Sequence, residues 1–278
     1  GQGPGEYTDI NAFAVNASLH QLVIYDNMKQ SLMFYSTEDG RFVKSEKFNK
    51  PTPAEIAYWG GYFFYHNRLH RNYQDDVSLH YYLLASKDGI TIGKRYFKHE
   101  NNKEDYPFSP SGHNLYDNNS KLYYCRDFDN IVYQIHEDSV VPRFRINLPN
   151  PLPASMIEER PNEMSLLRSG YSLGITDIYE YGGLLFFRFV KDGYIWSCLY
   201  NVEESKQVYC AKRIKFLDSS LIDTIDGIYK DCFYSILTPE YLDYAFSENP
   251  LEDYPDLFKT YDVEGDNPVI AFYRAVVR

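Results

Sequence analysis

The chain is written in short alternations. Ile10–Val15, His20–Tyr25, Ser31–Tyr35 and Arg41–Phe48 place β-branched and aromatic residues at two-residue spacing, with Asn16-Ala17-Ser18, Asp26-Asn27 and Glu38-Asp39-Gly40 between them. A period of two predicts half-buried strands. Asn, Asp and Gly tolerate the left-handed backbone that tight reversals need. Four strands and three turns make one small antiparallel sheet. The order recurs as Glu55–Trp59, Tyr62–His66, Ser78–Ala85 and Ile90–Phe97, with an enlarged polar loop from Asn67 to Asp76. It recurs again as Gly112–Tyr116, Lys121–Arg126, Asn130–His136 and Val140–Asn147, and then as Ser172–Tyr179, Leu184–Val190, Tyr194–Tyr200 and Gln207–Lys215. A fifth unit begins near Leu221, continues at Cys232–Leu237, is interrupted by helix-like pieces around Pro239–Phe246 and Tyr254–Thr260, and closes with Pro268–Val277.

Equivalent turns are evenly spaced. Asp39-Gly40, Asp88-Gly89 and Asp138-Ser139 follow one another at about 50 residues, a period typical of radial sheet arrays in which each small sheet needs neighbours to cover its faces. The expected fold is an all-β propeller of four-stranded antiparallel blades, about five of them in this chain, forming one domain over residues 1–278. Residues 148–170 interrupt the pattern. Pro149, Pro151 and Pro153 forbid a central strand, and Ala154–Arg160 favours a short helical turn, so this insertion is expected to cap one face of the disc.

Composition narrows the partners. The chain has 278 residues, 17% of them aromatic, and a formal charge of -11 without any Lys/Arg cluster. Nucleic acid and anionic membrane are therefore not expected partners, because both require a basic footprint. No run of about 18 apolar residues occurs, so no membrane-spanning helix is expected, and no basic start leads into an apolar stretch as a signal peptide would. Cys125, Cys198, Cys210 and Cys232 lack any CxxC or Cys/His metal spacing. Cys198 and Cys210 flank a predicted hairpin turn at Glu203–Lys206. A turn centred on Glu204 sets them opposite each other, and a slip of one residue sends them to opposite faces. A cross-strand disulfide and two reduced core cysteines both remain open.

Three stretches resemble a family. Gly1-Gln2-Gly3-Pro4-Gly5-Glu6-Tyr7 is similar to the GxGPGEY/F linker of a six-bladed β-propeller family of Bacteroides-type bacteria, largely of unknown function. Asn130–Ile135 followed by Pro142–Asn147 resembles that family's "tIYxI…pxYxIdFG" pattern, and Glu264–Ile270 its "eDNPVI" ending. The chain departs from it at Asn147-Leu148-Pro149, where the family reads Asp-Phe-Gly, and in the shortened acidic run Glu264-Gly265-Asp266. The resemblance implies a further N-terminal blade, export, often as a lipoprotein, and a place in the periplasm or on the outer membrane surface. It supplies no catalytic residues.

Chemistry is sparse. His66 and His70 have the i, i+4 spacing of a metal pair, but no glutamate accompanies them and they enter a loop. The acidic turns at Asp127–Asn130 and Asp223–Asp226 lack the alternating ligands and closing glutamate of a calcium loop. No metal or cofactor is expected. Trp59 closes a first strand before Gly60-Gly61, where its ring could stack on a sugar at the channel rim; His66, His113 and Asp177 complete the candidate ligand-binding set. The expected function is a non-catalytic binding or scaffolding module of the bacterial cell envelope that recognises a glycan or protein partner. The alternative is a saccharide-acting lyase or hydrolase with its site in the central channel, using Trp59, His113 and Asp177.

Overall fold

The computed structural model describes residues 3, 5–48, 52–67, 80–98, 112–118, 120–159, 161–212, 214–216, 219–222, 225–248, 258, 260–262, 264, 265 and 267–274. His70, His99, Asp223, the expected loop beyond Asn67 and most of the helix-like piece at 254–260 lie outside these. The chain forms two compact units, the first comprising Gly1–Leu115, Leu122–Arg126 and Ile131–Ile146, the second Tyr116–Lys121, Asp127–Asn130 and Asn147–Arg278.

The first sheet is an antiparallel meander of β1 (Ile10–Asn16), β2 (Gln21–Asp26), β3 (Ser31–Ser36) and β4 (Phe42–Lys47). The second repeats it with β5 (Pro53–Trp59), β6 (Tyr62–Asn67), β7 (Tyr81–Ser86) and β8 (Lys94–Lys98). The third is β9 (Leu115–Asp117), β10 (Leu122–Tyr124), β11 (Ile131–Ile135) and β12 (Val140–Arg145). Each acidic turn of the sequence repeat joins the third and fourth strands of its sheet. Its chemistry is visible at Asp88, whose carboxylate accepts the N–H groups of Ile90 and Thr91 at 2.8 and 2.7 Å and the hydroxyls of Ser86 and Thr91. Gly89 follows at φ +84°, a conformation few side chains tolerate.

Side-chain parity explains the core. Ala12, Ala14, Val23, Tyr25, Leu32 and Phe34 of the first sheet pack on Ile56, Phe63, Tyr65 and Leu84 of the second. Phe64, Leu83 and Ala85, on the opposite face of the second sheet, pack on Leu122, Tyr124 and Ile135 of the third. An aromatic doublet such as Phe63-Phe64 therefore fills two different sheet-to-sheet cores, because neighbours in a strand point to opposite faces. Tyr65 is 1% exposed and donates its hydroxyl to the Gly89 carbonyl at 2.6 Å.

The second unit contains two short helices ahead of its next sheet, α1 (Ala154–Glu158) and α2 (Glu163–Leu167). The sequence anticipated the first; the second is capped by Asn162, whose side chain accepts the Ser165 N–H, and it buries Leu166. The fourth sheet is β13 (Ser172–Tyr181), β14 (Leu184–Lys191), β15 (Tyr194–Asn201) and β16 (Lys206–Ala211). The stretch expected as one strand over Gln207–Lys215 divides: β16 ends at Ala211, and β17 (Ile214–Phe216) pairs instead with β18 (Ser219–Ile222). The fifth sheet joins β19 (Gly227–Tyr229), β20 (Cys232–Leu237) and β21 (Val269–Tyr273), with α3 (Pro239–Glu248) inserted between the last two. Cys198 and Cys210 face each other across β15 and β16 and form a disulfide; Cys125 and Cys232 are not disulfide-bonded.

The fold is an all-β propeller of small antiparallel sheets, with five blades among the described residues and few helices. In the first sheet, the face turned away from the second exposes Phe13 (62%) and Val15 (52%). In the fifth, the face opposite Phe233 and Ser235 exposes Ile236, Ile270 and Phe272, each by about half.

Candidate functional site

The predicted residues divide between the units. In the first, Glu55 stands opposite His66 across β5 and β6. Both Glu55 carboxylate oxygens are engaged by backbone, accepting the N–H groups of Asn114 at 2.7 Å and Leu115 at 2.9 Å. His66 is 2% exposed, with Nδ1 3.2 Å from the Tyr124 hydroxyl. His113 is exposed beside Asn114. Trp59 lies four residues along β5 from Glu55, about 13 Å at strand rise. It is half-buried against the aromatic core between the second and third sheets and stands opposite Tyr62. The geometry at Glu55 is that of a clamp holding Asn114 and Leu115 to β5.

In the second unit, Asp177 sits at φ +53° in a β-bulge between Thr176 and Tyr179. A bulge re-aims a side chain that regular pleating would send elsewhere. Here it aims the Asp177 carboxylate at Arg188: Oδ2 accepts from Arg188 Nε at 2.8 Å and Nη2 at 2.7 Å, and from the Thr176 hydroxyl at 2.7 Å. The side chains are only 15% and 17% exposed. A charge so enclosed is stable because its partner is equally enclosed. Two residues on, the Tyr179 hydroxyl donates to the Asp226 carbonyl at 2.9 Å, tying the fourth sheet to the strand entry of the fifth. Burial pushes its ionisation far above the ordinary tyrosine range.

One recess in the second unit was not foreseen. It encloses about 280 Å³ and is lined by Tyr181, Gly182 and Leu184 from the β13–β14 hairpin, Asp231 and Phe233 from the β19–β20 hairpin, and Tyr273 and Arg274 at the end of β21. Tyr181 and Phe233 meet edge to face, with centroids 6.4 Å apart and planes at 86°. Arg274 Nη2 lies 2.6 Å from Asp231 Oδ2, with both side chains more than half exposed. The Tyr273 phenol is pushed up to about 12, chiefly by burial, so it keeps its proton throughout the physiological range. The recess offers aromatic lining, a tyrosine whose hydroxyl is hydrogen-bonded to Ser235, and a compensated pair of charges. Nothing local in the sequence marked it, since Gly182 and Asp231 read as ordinary turn residues and its three contributing segments are some 40 to 50 positions apart.

The chain belongs to the family described as Domain of unknown function (DUF4934), which matches residues 1–274. Among solved structures it is similar to a protein of Bacteroides fragilis NCTC 9343 named as a candidate exported protein, with a TM-score of 0.75 and 16% identity over 98% of this chain and 78% of that one. It also matches a member of the duf4221 family from Bacteroides vulgatus, with a TM-score of 0.49 and 11% identity over 76% of this chain and 68% of that one. At these identities the first likeness carries the fold alone. None of the curated proteins matches.

Proposed function

We propose that this protein is a non-catalytic binding or scaffolding propeller of the bacterial cell envelope, and that it engages a glycan or protein partner at the recess between Tyr181 and Arg274. The observation that carries this reading is the composition of the recess. Rings and a paired Arg274–Asp231 are a recognition surface. Hydrolysis of a glycosidic bond uses two carboxyl groups roughly 5–10 Å apart. Among the described residues of the lining, Asp231 is the single carboxylate, and it is paired with Arg274.

Two features support the compartment and the assembly. The Cys198–Cys210 disulfide suits an oxidising environment such as the periplasm or outer membrane surface, and the similar Bacteroides fragilis protein is named as a candidate exported one. On the Phe13 face of the first sheet Phe13 and Val15 of β1 are exposed while Ile24, Met33 and Tyr35 of β2 and β3 are buried, and the face around Phe272 is about half exposed; neighbouring blades cover such surfaces elsewhere in the chain. We read them as seats for a further sheet, giving a six-bladed ring. In keeping with this, just over a fifth of the Bacteroides fragilis chain lies outside the match.

The test is retention of envelope polysaccharide and protein fractions on immobilised wild-type chain and on Arg274→Ala. Retention by the wild type alone, with the retained material recovered unaltered, is the expected result. Release of new reducing or unsaturated ends would replace this reading with the lyase or hydrolase. Equal retention by both proteins would move the site away from the recess.

A further inference from the structure

From the chemistry of its walls we infer that the recess takes an uncharged saccharide unit, stacked on the aromatic side and hydrogen-bonded to the Arg274–Asp231 pair. This rests on the binding reading above and names the ligand class. The walls select it by exclusion and by fit. An anion reaching Arg274 would meet Asp231 at the same contact, on a chain that carries a formal charge of -11. A cation reaching Asp231 would meet the guanidinium. A wholly apolar ligand would cover the ion pair without satisfying it, which leaves donors and acceptors desolvated at a cost. A sugar ring resolves all three conflicts. Each hydroxyl both donates and accepts, so neighbouring hydroxyls can donate to Asp231 and accept from the fork of Arg274, and the pair keeps its own contact or opens around them.

The opposite wall matches the other side of the same molecule. The C–H face of a sugar is flat and apolar, and Tyr181, 37% exposed, offers a ring held in orientation by its edge-to-face contact with buried Phe233. Leu184, itself buried, adds apolar lining. Tyr273, protonated at all physiological pH, also lines the recess, its hydroxyl already hydrogen-bonded to Ser235. The volume of about 280 Å³ lies at the lower edge of small-ligand sites of about 300–1,000 Å³, which suits a terminal residue or a short segment.

Calorimetric titration with a panel of uncharged gluco-, galacto-, manno- and xylo-oligosaccharides tests this on the whole chain. Saturable binding of at least one, weakened roughly tenfold or more by Arg274→Ala and by Tyr181→Ala but largely retained by Tyr181→Phe, is the expected outcome. The thermal melt of Arg274→Ala should overlay the wild type, since that side chain is exposed, and Tyr181→Phe, which keeps the ring contact with Phe233, separates loss of binding from loss of packing in Tyr181→Ala. Undiminished binding in both alanine variants, or no binding by any saccharide, overturns the inference. If the panel fails while wild-type chain, but not Arg274→Ala, still retains a protein fraction, the ligand class is wrong and the binding reading survives. Preferential binding of zwitterionic amino acids or peptide termini, with carboxylate to Arg274 and ammonium to Asp231, likewise overturns the saccharide class.

Discussion

Replacing both Cys198 and Cys210 by alanine isolates what the disulfide contributes. The bond closes a loop with a sequence separation of 12 around the β15–β16 turn. By loop-closure entropy a cross-link of that span removes about 3 kcal/mol of freedom from the unfolded chain. Cys198 is 4% exposed, but the change to alanine replaces only the sulfur by a hydrogen and removes little volume, so the entropic part should dominate. For a chain of 278 residues the loss corresponds to a fall in melting temperature of about 5 °C. Protein purified from an oxidising compartment and denatured without reductant should show two reactive thiols, Cys125 and Cys232, and four after reduction. Reductant should lower the wild-type melt and leave the double variant unmoved. Four thiols before reduction, or a shift under about 1 °C in the variant, would refute both the cross-link and the compartment drawn from it.

Other expectations are narrower. Tyr65→Phe strands the buried Gly89 carbonyl and should cost about 1–2 kcal/mol in urea melts. Asp177→Ala leaves the enclosed Arg188 charge without its partner and should cost roughly 2 kcal/mol, part of which Asp177→Ala/Arg188→Met should restore. The carboxyl of Asp88 is held well below the usual carboxylate range, foremost by the Thr91 N–H. A depressed folded-state value means its stabilisation is fully present above the unfolded value of about 4 and is lost as pH falls through the folded one. The stability gap between wild type and Asp88→Asn should stay constant from about pH 7 to 5 and close below about pH 4. A gap that widens on acidification would reverse the sign.

Most of the fold was legible in the chain because its turns are chemically explicit. Asp39-Gly40 and Asp88-Gly89 occupy equivalent corners of the first and second sheets, whereas the turn that pairs Asn201 with Lys206 would by itself set Cys198 opposite Tyr209, and a register shift between Leu199 and Tyr200 brings Cys210 across from it. Boundaries failed where neither parity nor a turn residue is decisive, as between Ala211 and Ile214. The site was far less legible. Trp59 and His66 share a face of the second sheet because Trp59↔Tyr62 and Glu55↔His66 pairings have the same parity, and that face is covered by the third sheet. Only the pairing of sheets reveals which side is covered. Asp177 depends on a bulge, which shifts side-chain direction without a sequence mark at that position. Tyr181, Asp231 and Arg274 come together only through the packing of the fourth and fifth sheets.

The most direct test of the binding assignment is hydrogen exchange with and without the retained partner or sugar. Protection confined to peptides covering Tyr181–Leu184, Asp231–Phe233 and Tyr273–Arg274 is the predicted footprint. A footprint around Trp59 and His113, with the recess unchanged, would contradict it.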